Sequence, residues 1–106
     1  MTDELENKTN NLTIVRQFKH GLTIAGVSHK EFEIHEASLA DMLDAEKISP
    51  ASSPMNFNAE LAVRQLVRVG DFTGPFTLNL LKRLRPADWW TLRDAQEELG
   101  AMGEGE

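Results

Sequence analysis

Three histidines, seventeen carboxylates and a cluster of arginines are the residues in this 106-residue chain whose chemistry could serve a site. His20, His29 and His35 invite a metal or acid–base reading, which requires that they converge on one point. Strand phase separates them: His20 and His35 fall on opposite parities of alternating segments, and His29 lies in or beside the connecting loop. Glu31, Glu33, Asp41, Asp44, Glu46, Glu97 and Glu98 fit exposed strand or helix faces, and none stands beside a nucleophile-elbow sequence. Gly70, Gly74 and Gly100 lack phosphate-loop spacing and read as helix ends. The expectation is therefore no catalytic residue, no metal and no cofactor. With no cysteine, thiolate chemistry is excluded outright.

Arg64, Arg68, Lys82, Arg83 and Arg85 could form a basic patch, and two helices joined by GDFTGP loosely resemble a DNA-binding helix pair. A net charge of −6 disfavours attraction to polyanions, so nucleic acid is expected to be an unlikely partner. Adjacent tryptophans point elsewhere. Neighbours on a helix are about 100° apart, so Trp89 and Trp90 cannot share one core seam. Trp89, Leu92, Ala95 and Leu99 line one face, which leaves Trp90 among Arg93, Asp94 and Glu97. Trp90 is accordingly a candidate partner-binding residue, weighed against packing on an Arg stem. Phe72 and Phe76, flanking the Asp71-to-Pro75 joint, are further candidates for partner contact, with core or loop anchoring the stronger reading for both.

The elements that position these residues follow from periodicity. Met1 to Asn11 is acidic, polar and almost free of apolar side chains, and reads as a disordered tail (1–11) without the features of a signal peptide; no apolar run reaches membrane-spanning length. A single domain is expected over 12–99, and the Gly-rich 100–106 is expected to fray. Phe18, Leu22, Ile24, Phe32 and Ile34 are all even-numbered and should share one buried face of an antiparallel hairpin. A two-residue turn at Ala25-Gly26 would pair even with odd positions. A loop of three or five residues, or a bulge, is thus predicted around Gly26.

Ser38 with Asp41 predicts a capping box opening a helix from Leu39 to about Lys47, with Leu39, Met42 and Leu43 on one side. SPASSP then reads as an extended surface connection. Three helical patterns follow: Phe57 to Val69, a second begun by Thr73-Gly74-Pro75 with Pro in its first turn, and a third begun likewise by Arg85-Pro86. The fold class is α+β, an N-terminal antiparallel β-hairpin packed on a C-terminal block of three to four short helices.

The order of these elements, FEIHEASLADMLDAEK, a Ser/Pro spacer, then LAVRQLVRVGDFTGPFTLNLLKRLRPADWWTLRDAQEEL, resembles the tail assembly chaperones of Mu-like and other long-tailed phages. The similarity spans about Leu12 to Leu99, and its most characteristic pieces are the charged strand passing into the Leu39 to Lys47 helix with Asp41 and the final L-x-x-L-x-P-A-D-aromatic segment, here Leu81 to Trp89. Some relatives carry Arg and Pro where this chain has His35 and Ala37. The resemblance implies a non-catalytic chaperone. It would bind the helical, apolar tape-measure protein and keep it soluble during tail morphogenesis in the host cytoplasm, and would be absent from the mature virion. Self-association in several copies along a client is compatible with it. The alternatives are a structural tail component or a small nucleic-acid-binding regulator.

Overall fold

The computed structural model describes residues 12–104; the expected tail at 1–11 lies outside them, as do Gly105 and Glu106. Two long strands, β1 (Thr13–Ile24) and β2 (Val27–His35), form the hairpin, and a short β3 (Leu66–Val69) adds to β2 to complete an antiparallel sheet of order β1-β2-β3. The helices are α1 (Leu39–Ile48), α2 (Pro54–Gln65), the single turn α3 (Leu78–Leu81) and α4 (Pro86–Glu104). The architecture is α+β. α4 lies against β1, while α2 touches α1, α3, α4 and β2.

The even parity of the hairpin is the core. Phe18, Leu22, Phe32 and Ile34 are buried, joined by Ile14, with Ile24 partly buried at the edge of the cluster. Phe18 and Phe32 stack with ring centroids 4.3 Å apart. Leu92, Ala95 and Leu99 of α4 close over this face, and Trp89 packs against it.

The hairpin's irregularity is displaced from the position expected for it. Ile24 pairs with Val27 across a two-residue Ala25-Gly26 turn, and the odd shift comes further back, between Gln17 and Leu22. From Thr13↔His35 to Gln17↔Glu31 even pairs with even; from Leu22↔His29 onward the phase changes. A bulge restores the shared face. It sits at Lys19–Gly21 because a carboxylate from α4 holds it there, as described below.

Two helical expectations are corrected. The pattern Phe57 to Val69 is α2 only as far as Gln65; Leu66–Val69 is strand β3, with Phe32 opposite Val69 and Glu33 opposite Arg68. Val67 and Val69 are β-branched, and pairing with β2 satisfies backbone groups that one more helical turn would have left at the helix end. The second pattern is not a full helix. Gly74-Pro75 lies in the connection, and α3 begins after Thr77, whose hydroxyl accepts from the Leu80 amide. α2 starts earlier than expected, with Pro54 in its first turn, and Pro86 opens α4 as the spacing requires.

α4 also outruns its expected end at Leu99, continuing through Gly100 and Gly103 to Glu104. Each helical glycine costs only about 1 kcal/mol relative to alanine. Continued backbone bonding beyond the buried Leu99 outweighs that. The capping box of α1 is present as expected, Ser38 Oγ accepting from the Asp41 amide and Asp41 Oδ2 from the Ser38 amide, both at 3.0 Å. Its packing differs from a core helix: Ala45 is its sole buried residue, and Leu39, Met42, Leu43 and Ile48 are exposed.

Gly70 ends β3 in the left-handed region at φ +59, where its amide donates to Glu31 O at 2.7 Å and a Cβ would overlap the His29 ring. Gly70→Ala is expected to destabilise the domain by about 2 kcal/mol. Thermal melts of this variant and of Gly70→Ala/His29→Ala check the cause, because removing the ring should return part of the loss.

Candidate functional site: an apolar groove beside Trp90

The histidines do not converge. His20 Nδ1 lies 3.5 Å from Arg85 Nη1, His29 packs against Gly70, and His35 sits between the carbonyl oxygens of Glu36 (2.8 Å) and Arg64 (2.9 Å). Among the described residues no group of three His, Asp or Glu side chains is placed to hold a metal ion.

A depression of about 550 Å³ is polar and lined by Glu33, His35, Glu36, Ser38 and Asp41 with Thr13 and Val67. Most of its polar groups have structural partners already. Asp41 caps α1, Glu33 accepts from Arg68 Nε at 3.1 Å, and both ring nitrogens of His35 meet carbonyl oxygens. Arg68 also reaches Glu31 at 3.0 Å. The hydrogen bond to Glu31, followed by the one to Glu33, holds the guanidinium above its ordinary pKa, with burial opposing. Arg64 is likewise tied to Glu60, at 3.1 Å. Two of the five cations of the expected basic patch are therefore neutralised inside the fold.

Of the remaining cations, Lys82 borders a different surface. Between the start of α2, the turn α3 and the start of α4 runs an apolar groove of about 320 Å³. Met55, Asn56 and Ala59 come from α2, Leu78 and Leu81 from α3, and Lys82 and Leu84 from the turn that follows. Pro86, Trp89 and Trp90 complete it from the first turns of α4. Trp90 is 55% exposed and Met55 59%, so large apolar side chains stand on the groove in contact with solvent. Trp89 Nε1, in the same wall, is buried without a hydrogen-bond partner among the described residues.

The groove depends on the placement of α4, and that placement rests on Asp88. Its side chain is fully buried. Oδ1 accepts from the Lys19 amide at 2.7 Å, both oxygens are shared by the His20 amide at 3.1 and 3.2 Å, and Oδ2 accepts from the Gly21 amide at 3.0 Å. These are the three amides that the β1 bulge frees from the ladder. Gly21 has φ +103, and a Cβ there would come within 2.8 Å of Ser28 Oγ, so the bulge needs glycine at this point. The carboxylate also lies in the first turn of α4, where the helix dipole favours negative charge. Pro-Ala-Asp-Trp thus contains the anchor of α4 in its Asp and the groove wall in its Trp.

Of the three candidate partner-binding residues, the fold brings only Trp90 to the groove. Phe72 and Phe76 pack on one another edge to face, centroids 5.3 Å apart, with Phe76 against the core and the Phe72 carbonyl bonded to the Val69 amide. The groove's other contributors, Met55, Ala59 and Leu78, come from separate elements, so no local pattern in the sequence marks them as one surface.

The family model described as tail assembly protein gp41 matches residues 18–104. The chain belongs to this family of phage tail assembly proteins. The matched span takes in the bulge, β2, β3 and all four helices, so the Asp88 anchor and the groove both fall within the gp41 family region. No curated protein and no solved structure matches the chain. Among the described residues no helix is long and apolar enough to cross a membrane.

Proposed function

We propose that this tail assembly protein is a non-catalytic chaperone that binds apolar helical segments of the tape-measure protein in the host cytoplasm and is left out of the finished virion. The observation that carries this reading is the groove. It is concave, apolar, and bordered by an exposed indole, the arrangement by which a groove takes up the apolar face of a helix. Lys82, on the groove lining, adds a preference for a guest with carboxylates beside its apolar stripe. The polar groups of the larger depression are mostly engaged in structural bonds, which favours binding over catalysis.

Co-expression with the tape-measure protein of the same phage tests this reading. The client is expected in the soluble fraction, co-eluting with the chain on size exclusion, and purified particles are expected to lack the chain. A client equally insoluble with and without it would refute the chaperone role. Its presence in washed particles would favour a structural tail component.

A further inference from the structure

The exposed face of α1 matches the guest that the groove is built for. Leu39, Met42, Leu43 and Glu46 recur at i, i+3, i+4 and i+7 and form one stripe. The first three are 69%, 42% and 51% exposed, unusual for three apolar side chains on one ten-residue helix. Glu46 supplies the carboxylate of this stripe, since Asp41 caps the helix and Asp44 pairs with Lys47 at 3.8 Å. The groove presents the complementary features, an apolar floor of Leu81, Leu84 and Trp89 with Lys82 on its lining. Arg83 and Arg85 follow in the chain outside the lining, and among the described residues none of these three cations is in a salt bridge.

From this complementarity of apolar surface and charge we infer that α1 of a second copy of this chain occupies the groove. It rests on the reading of the groove as a receptor for a helix, and gives that site a resident competitor: the chain covers its own client surface through self-association. Within one copy α1 is held on α2 through Ala45 and contributes no residue to the lining of the groove, so the occupant is the helix of another copy. The interface is heterologous, helix to groove, so a pair of copies keeps one free groove and one free helix between them and assembly is open-ended. The patch is small, so association is weak and depends on concentration.

Size exclusion with light scattering on the full chain, from ~10 μM to ~1 mM, tests it. The mean mass of the unaltered chain is expected to rise continuously with concentration. Leu43→Asp spoils the helix face and Lys82→Glu reverses the charge on the groove; both positions are exposed, and melting curves confirm that each variant is folded. Each alone is expected to remain monomeric. Mixed in equal amounts they are expected to form a dimer and nothing larger, since one intact groove meets one intact helix. A chain monomeric throughout the series overturns the inference, as does association that survives Leu43→Asp or a mixture that stays monomeric. Client rescue by co-expression is scored separately: a monomeric chain that still solubilises the client removes this inference alone, and self-association with the stated pattern but no rescue removes the client reading alone.

Discussion

Asp88→Ala is expected to remove a large part of the stability of this domain. Truncation leaves the Lys19, His20 and Gly21 amides without their acceptor. Each buried donor left unpaired costs about 1–3 kcal/mol, and bonds to a charged acceptor lie at the upper end of the range. Partial hydration of the exposed hairpin edge lowers the sum, and a net loss of about 4 kcal/mol is expected. A domain of this length has roughly 5–15 kcal/mol in total. The melting temperature should therefore fall by roughly 15–30 °C.

Asp88→Asn separates acceptor from charge. One oxygen is retained, but the amide nitrogen then faces N–H groups and opposes them, so this variant should also melt well below the unaltered chain. Thermal unfolding of the two variants, with amide exchange at residues 19–21, checks the account. An Ala variant within about 1 kcal/mol of the unaltered chain would show that the bulge holds itself.

What periodicity conveyed and what it did not is visible in the same hairpin. The even-numbered face was legible because side chains in a strand alternate strictly, and Phe18, Leu22, Phe32 and Ile34 are all buried together. Parity also required an irregularity, but not its place, which is set by a carboxylate 67 to 69 residues further along the chain. Local patterns carry no such distance. The fate of Leu66–Val69 is similar: apolar residues spaced for the last turn of a helix are also spaced for a four-residue strand, and only pairing with β2 decides between them. Capping and proline signals at Ser38, Asp41 and Pro86 act within one turn and were correct where they stood. In α1, the apolar side Leu39–Met42–Leu43 was legible, but its exposure was not, because amphipathicity reports a face and not whether the fold covers it.

The groove was half legible for the same reason. Two adjacent tryptophans force one of them off the core seam, and Trp90 is that one. If the groove receives the client, Trp90→Ala should weaken client binding by about 2 kcal/mol or more, roughly 30-fold, as expected of a large aromatic at the centre of an interface. Its effect on folding should stay within about 1 kcal/mol, because a side chain 55% exposed loses little packing on truncation. Phe72→Ala supplies the opposite signature. That ring is half-buried against Phe76 and away from the groove, so its removal should lower the melting temperature and leave client binding intact. Binding of a soluble tape-measure segment, titrated against both variants with melting curves in parallel, reads the two effects independently. Were Trp90→Ala to bind as well as the unaltered chain, the indole would stand outside the interface; were it to melt as Phe72→Ala is expected to, Trp90 would belong to the scaffold of α4 and the groove would lose its anchor.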